Sequence, residues 1–325
     1  MSADTVVMTE NLKKSFPSRK GVVKAVDGVD LLVMPGEVFG FLGPNGAGKT
    51  TTLRMLTTLI PPDSGRAVVA GFDVLAEPDQ VRRNIGYVGQ NGGSDLPATG
   101  RENLLLQGRL YGMTAADSRA RADELIELLD LTEFADRVAY TYSGGQRRRL
   151  DVAVGLMNRP RVLFLDEPTT GLDPQNRANL WAQINKLQAE GATIFITTHY
   201  LDEADVLCDR LAIMDEGKIV DEGTPEALKK EVAYDCITIS VERHEENAAA
   251  LLDLLEHKDF VLEVGVEDGH IRLCVGDLAS GLPQLMRVLD GQGVAMETVK
   301  VVEATLDDVF LQKTGYSLRD LTPEG

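Results

Sequence analysis

Gly43-Pro44-Asn45-Gly46-Ala47-Gly48-Lys49-Thr50 decides how this chain is read. The octet has the form Gly-x-x-x-x-Gly-Lys-Thr. It stands between an apolar run, Val38, Phe39, Phe41 and Leu42, and a helical pattern carried by Leu53, Met55 and Leu56. That context predicts a strand, a tight turn whose glycines let successive backbone N–H groups point inward, and a helix offering its positive end to a phosphate. Lys49 is then placed to reach the β- and γ-phosphates of ATP, and the Thr50 hydroxyl to hold Mg²⁺. Gly43, Asn45, Gly46, Ala47, Gly48 and Thr51 complete the expected cradle. A purely structural glycine turn would need none of the flanking pattern.

The chain has 325 residues. That exceeds the roughly 250–300 residues at which single cores stop growing, so two domains are expected. A hydrophobic content of 43% and a charged content of 26% describe a soluble globular protein. No apolar run reaches the length of a membrane span, and MSADTVVMTE lacks the basic and apolar regions of a signal peptide. Cys208, Cys236 and Cys274 are scattered, odd in number and without metal-type spacing. They read as small buried hydrophobes in a reducing cytosol. The net charge of −18 argues against a groove that tracks DNA or RNA, so no nucleic-acid partner is expected. An acidic surface suits a partner with basic cytoplasmic loops, and it equally serves plain solubility.

Two further stretches carry chemistry. Val162-Leu163-Phe164-Leu165 reads as a buried strand ending in Asp166-Glu167, and ligands of open α/β sheets bind at strand C-termini. Asp166 is expected to hold Mg²⁺ and Glu167 to orient and deprotonate an attacking water. Tyr142-Ser143-Gly144-Gly145-Gln146 precedes an apolar-periodic helix and makes a second helix N-terminus bare enough to meet a phosphate. The chain already has its own phosphate loop, so this second turn makes sense if it serves a neighbour's nucleotide. Arg147-Arg148-Arg149 reads as a solvated helix face in preference to a phosphate contact.

Together these motifs resemble the nucleotide-binding subunit of an ATP-binding-cassette transporter. GPNGAGKT matches the family's Walker A loop, VLFLDE its Walker B strand and YSGGQ its signature, with Tyr142 where Leu is usual. Gln90 matches the Q-loop, Gly171-Leu172-Asp173 the D-loop, and His199, after Ile194-Phe195-Ile196-Thr197-Thr198, the switch histidine. Phe16 takes the place of the aromatic that stacks on adenine. The matches run in the family's order over about residues 5–225. The resemblance implies an α/β fold: a P-loop NTPase cassette with a RecA-like core, an antiparallel β subdomain and an α-helical signature subdomain over about 91–160. It also implies two such domains closing head-to-tail over two ATP molecules. Ser143, Gly144, Gly145 and Gln146 of one copy, with Asp173, would then meet nucleotide held by the other. Gln90 would sense Mg²⁺ and the membrane partner, and His199 would hold the γ-phosphate and the water.

The cassette is expected over 1–230 and an accessory domain over 231–325. In the latter, Ile237, Ile239 and Val241 alternate with polar residues as in a strand, followed by a helix over 246–256. Strands over 260–266 and 270–275, joined by Asp268-Gly269, a helix over about 280–290 and a strand over about 295–302 complete a β-α-β-β-α-β order. A small α+β, ferredoxin-like domain is predicted. A helix capped by Thr305, with Leu306, Val309 and Phe310 on one face, closes the chain and is expected to dock on the protein or its twin. That segment, ATLDDVFL, resembles the C-terminus of the daunorubicin-resistance type of exporter ATPase. The resemblance implies an ABC-2 type membrane permease as partner, a place at the cytoplasmic face of the cell membrane, and export of a drug-like or lipid substrate. The competing reading is a cytosolic ABC ATPase acting on a macromolecular partner. Against it stand the absence of sustained heptads between Walker A and signature, the single phosphate loop, and the acidic charge.

Overall fold

The computed structural model describes residues 5–19, 21–232, 235–241, 251–267, 270–292, 294, 296–302 and 304–318. They form two compact units, Met1–Pro225 and Glu226–Gly325.

The first unit holds two sheets. β1 (Val7–Ser18), β2 (Gly21–Val33), β4 (Ser64–Val69) and β5 (Phe72–Asp73) form an antiparallel sheet in the order β2-β1-β4-β5. The other sheet has six strands: β3 (Val38–Leu42), β6 (Ile85–Val88), β7 (Val162–Asp166), β8 (Ile194–Thr198), β9 (Arg210–Asp215) and β10 (Lys218–Gly223). Their order is β10-β9-β3-β8-β7-β6, parallel except for β10. β3, β7 and β8 are buried at every position. That is why they read as continuous apolar runs: a parallel sheet is covered on both faces. Phe195 centres the packing, its ring 5.5, 5.0 and 5.4 Å from those of Phe39, Phe41 and Phe164. Each fully buried ring stabilises the fold by roughly 1.5–3 kcal/mol relative to exposure.

The register decides where chemistry can occur. β8 lies between β3 and β7 and pairs Leu42 with Thr198 and Asp166 with Thr197. Three neighbouring parallel strands therefore end together, and the loops that follow them share one edge. Between β6 and β7 the chain is helical: α3 (Gly100–Leu110), α4 (Ala115–Leu128) and α5 (Gly144–Gly155), with α1 (Lys49–Leu56) and α2 (Pro78–Asn84) before them. α3 starts at a capping box of Thr99 and Glu102. Tyr142 is buried under this helical layer, its hydroxyl donating to the Phe134 carbonyl at 2.5 Å and its ring edge-on to Phe134. It packs within its own helical layer, while the neighbouring Ser143 and Gly144 stay exposed. α6 (Pro174–Ala189) and α7 (Leu201–Leu207) complete the unit.

α8 (Pro225–Val232) starts on the last residue of the first unit and runs on as the first element of the second. β11 (Asp235–Val241), α9 (helical over 251–256), β12 (Val261–Glu267), β13 (His270–Val275), α10 (Leu278–Gln292) and β14 (Met296–Val302) follow. The sheet order is β12-β13-β11-β14 with every pair antiparallel, the split β-α-β arrangement of a small α+β domain. Ile237, Ile239, Ile271, Leu273, Leu251, Leu255, Leu285 and Leu289 form its core. The expected helix start at 246–250, the Asp268-Gly269 turn and residue 295 lie outside the described residues. α11 (Leu306–Thr314) opens on a capping box of Thr305 and Asp308, and buries Leu306, Val309 and Phe310 within the chain itself.

The cysteine reading is corrected. Cys236 and Cys274 stand directly opposite on β11 and β13 and are joined in a disulfide; only Cys208 is a free thiol among the described residues. Burial pushes the Cys208 thiol far above its ordinary range. A cross-link between residues 38 apart restricts the unfolded chain. Such bonds typically stabilise by about 2–4 kcal/mol. Cys236→Ser is therefore expected to lower the unfolding midpoint of the second unit, followed by circular dichroism in urea with and without reductant. Equal midpoints for oxidised, reduced and substituted protein would remove the bond from the stability account.

Candidate active site

The phosphate loop joins β3 to α1. At Gly43 a Cβ would stand 2.2 Å from the Met214 carbonyl oxygen, and at Gly48, where φ is 106°, it would stand 2.4 Å from that of Ala25. Only glycine lets the loop pass these two backbones. Asn45 and Gly46 are exposed at the crest, Ala47 and Gly48 are buried beneath it, and Thr51 is half-buried on α1. Lys49 is 4% exposed; its Nζ donates to the carbonyl oxygens of Gly43 (2.7 Å) and Pro44 (3.0 Å) and lies 3.9 Å from Glu167 Oε1. Burial pushes its pKa down, against the pull of the Glu167 and Asp166 carboxylates.

The end of β7 supplies those carboxylates. Asp166 Oδ1 accepts from Thr50 Oγ1 at 3.0 Å and from Thr197 Oγ1 at 2.6 Å. The Thr197 hydroxyl also accepts from the Glu167 N–H at 3.1 Å, so one buried side chain on β8 fixes both acids. Glu167 has φ 45°, a left-handed conformation uncommon for a residue with a side chain, and is 8% exposed. Its Oε2 accepts from Thr170 Oγ1 at 3.2 Å and lies 3.4 Å from His199 Nδ1, which makes no well-aligned hydrogen bond. Burial alone would raise the Glu167 pKa. The His199 imidazole, the Lys49 charge and the Thr170 hydroxyl outweigh it and hold the carboxyl below its usual range. It is therefore ionised at neutral pH and able to accept a proton.

Thr50 and Asp166 offer a hydroxyl and one carboxylate, hard oxygen donors on adjacent elements. Among the described residues no three His, Cys, Asp or Glu converge as a metal cage. Mg²⁺ fits this donor set, since it commonly takes one or two carboxylates and completes its shell with water and phosphate oxygens.

The signature turn is built differently. Ser143 caps α5, its Oγ accepting from the Gln146 N–H at 3.2 Å while Gln146 Oε1 accepts from the Ser143 N–H at 3.0 Å. Ser143 and Gly144 are exposed, and a Cβ at Gly145 would stand 2.2 Å from Asn176 Oδ1. Asp173, also exposed, caps α6 by accepting from the Asn176 N–H at 2.9 Å. Among the described residues no hydrogen bond or ion pair links Ser143–Gln146 to the phosphate loop. Gln90 is exposed just beyond β6, and Phe16 is 40% exposed on β1 with Lys14 Nζ 5.7 Å from its ring centre. The structure thus brings Lys49, Thr50, Asp166, Glu167 and His199 together in one cluster, while among the described residues no hydrogen bond or ion pair joins the side chains of Phe16, Gln90, Ser143 or Asp173 to it.

The reading of Arg147-Arg148-Arg149 as a solvated face is corrected as well. Arg148 is 6% exposed and donates to three backbone carbonyls, and the Arg149 guanidinium lies 5.3 Å from the Phe134 ring centre. Sequence reasoning also passed over Thr197. Its signal was present: a hydroxyl pair, Thr197-Thr198, closing an otherwise apolar buried strand.

The comparisons with known proteins agree with this geometry. The family description "ABC transporter" matches residues 26–170, and "ATP-binding protein DrrA1-3-like, C-terminal domain" matches residues 223–314. The chain is 43% identical to the daunorubicin resistance ATP-binding protein DrrA2 of Streptomyces coeruleorubidus over 303 residues, 93% of this chain and 94% of the relative. This chain belongs to the ABC transporter ATP-binding family. The ABC ATPase is also 38% identical to the Nod factor export ATP-binding protein I of Paraburkholderia xenovorans, over 98% of this chain and 99% of the relative. Its cassette superposes on the dimeric post-hydrolysis structure of the ATP-binding cassette MJ0796 bound to ADP and Pi. That match has a TM-score of 0.61 and 27% identity and covers 67% of this chain and 98% of the other. The protein is thus an ABC-type ATPase of the drug-resistance and export type, with a P-loop NTPase cassette and a small α+β domain after it. Among the described residues no helix is long and apolar enough to cross a membrane.

Proposed function

We propose that this ATPase powers an exporter whose membrane-spanning part is a separate ABC-2 type subunit, and that the cargo is drug-like or lipid. One observation carries the reading. A DrrA-like C-terminal domain follows the cassette in a single chain, and relatives named for resistance to daunorubicin and for Nod factor export match 93% and 98% of this chain. The protein would work as a homodimer at the cytoplasmic face of the membrane. The cassette occupies 1–230, and 231–325 forms the accessory domain.

In this reading Phe16 stacks on the adenine, a contact worth about 1–3 kcal/mol by analogy with base–aromatic stacking. The loop amides from Gly43 to Thr51 and Lys49 bind the phosphates, Lys49 turning from the Gly43 and Pro44 carbonyls to do so. Thr50 and Asp166 would hold Mg²⁺, together with Gln90. Mg²⁺, when bound, neutralises the charge that develops on the phosphate oxygens. Glu167 takes the proton of the attacking water, and His199, 3.4 Å away, keeps water and γ-phosphate in line. Ser143, Gly144, Gly145, Gln146 and Asp173 complete the partner copy's site. The exposed turn at Ser143 and Gly144 supports this, because a neighbour's phosphate can approach the start of α5 there.

The test is to isolate tagged Glu167→Gln protein from detergent-solubilised membranes of its host with ATP and Mg²⁺ present. A single polytopic membrane protein in matched amount is the expected companion. A partnerless dimer, or a soluble macromolecular complex in its place, would leave the ATPase and remove the exporter.

A further inference from the structure

The signature helix α5 carries more than its N-terminal turn. Arg148 and Asp151 lie one turn apart on one face, and both are buried, at 6% and 4% exposure. The Arg148 guanidinium donates through Nη1 to the Gly89 carbonyl at 2.7 Å, through Nη2 to that of Asp166 at 3.0 Å, and through Nε to that of Pro168 at 2.7 Å. Gly89 immediately precedes Gln90; Asp166 and Pro168 immediately flank Glu167. Asp151 accepts from the Gly93 and Ser94 N–H groups, each at 3.0 Å, and from Ser94 Oγ at 2.5 Å, holding the far side of the same Q-loop.

A planar guanidinium presents five donors in a fixed fork, so three carbonyls bound to one head are held in a set mutual arrangement; a lysine ammonium is a point charge without that fork. All three acceptors are neutral, so the cation is not there as half of an ion pair. Burial pushes its pKa down, and the carboxylates that oppose this, Asp151 foremost, act on it at longer range. Such a buried cation makes sense as a geometric device. The backbone on both sides of Glu167 otherwise rests on β7, the Thr197 bonds and a long bond of 3.4 Å from the Thr170 N–H to the Glu167 carbonyl, and Glu167 itself sits in the left-handed region.

We propose that Arg148 is a positioning residue that joins the Q-loop to the hydrolytic carboxylate, fixing the peptide units around Glu167 in register with Gln90 and with the signature helix. Displacement of the Q-loop by a partner would then reach Glu167 through a single side chain. This rests on the reading of Glu167 as the group that accepts the water proton.

The test uses full-length protein in five forms, Arg148→Lys, Arg148→Met, Glu167→Gln and each Arg148 substitution combined with Glu167→Gln, with ATP turnover, ATP affinity and thermal midpoint measured on all. Lysine keeps the charge and most of the volume and reaches one carbonyl at a time. Arg148→Lys is expected to lower kcat by roughly a hundredfold, the cost of a displacement of about 1 Å at a reacting group, with KM for ATP unchanged and the fold intact. In the Glu167→Gln background the same change should lower residual turnover no further, since Arg148 acts through that carboxylate. A parental kcat in Arg148→Lys overturns the proposal. So does a further full loss on top of Glu167→Gln, or a fall in thermal midpoint that accounts for the lost turnover. If instead Glu167→Gln alone keeps parental turnover, the base assignment fails first, and Arg148 with it. Should Arg148→Met fail to fold, Arg148→Lys still decides.

Discussion

Glu167→Gln is expected to cut ATP turnover by about 10²–10⁴-fold while ATP binding is kept. The substitution preserves shape and keeps an oxygen for the Thr170 hydroxyl, so the surroundings have little reason to move. What it removes is the charge. Glu167 is held ionised by His199, Lys49 and Thr170 against the cost of its burial, and an amide in its place cannot take a proton from water. Lys49 loses a negative charge 3.9 Å away but keeps its bonds to the Gly43 and Pro44 carbonyls, and the loop amides proposed to bind phosphate are unchanged. With ATP and Mg²⁺ the variant should therefore accumulate as a closed dimer, seen by light scattering beside a turnover assay. Parental turnover would take the base role from Glu167. The same assignment fixes a pH dependence in the unaltered enzyme. A depressed carboxyl stays ionised to lower pH, so the acid limb of kcat/KM, which reports the free enzyme, lies below the usual carboxylate range. Activity is lost only as pH falls through that lowered value.

Ser143→Arg has the second largest expected effect. Ser143 is exposed and its fold-internal work is a helix cap, a contribution of about 0.5–2 kcal/mol that a folded protein of this size survives. If the turn also meets the partner's γ-phosphate, an arginine there fills the space of the phosphate and stops closure. Losing a preorganised donor to developing charge typically costs about 10²–10³ in turnover, and a blocked dimer should lose at least that. ATP binding to the monomer should be unchanged, because no hydrogen bond or ion pair among the described residues links Ser143 to the loop that holds ATP. Equal loss of binding and turnover would place Ser143 in its own chain's site.

The parts of the site that lie along one strand and its loop were legible from sequence. β3, β7 and β8 announce themselves as buried apolar runs, and Gly43–Thr50, Asp166, Glu167 and His199 follow at their ends. Their convergence needed only the parallel order β3-β8-β7. Three features were not legible, each for a physical reason. Arg148 sits in a run of three arginines, and charge runs are usually solvated. Only the packing of α5 against the end of β7 and the Q-loop turns its face inward. Cys236 and Cys274 alternate with core residues as any buried thiols would, and their pairing depends on the register of β11 with β13. Thr197 looked like part of a strand, and its two hydrogen bonds appear only when β7 and β8 are side by side. The second unit was readable in element order because its alternation and turn residues are local signals.

If each ATP site is shared by two copies, as proposed, two inactive variants should rescue each other when mixed. Lys49→Ala lacks the phosphate-loop lysine but keeps the signature turn; Ser143→Arg keeps the lysine but has an obstructed turn. A mixed dimer then contains one complete site, made of Lys49 from one copy and Ser143 from the other. Turnover in the mixture should rise well above the sum of the two variants measured alone. Turnover equal to that sum at every mixing ratio would contradict a site assembled across the dimer.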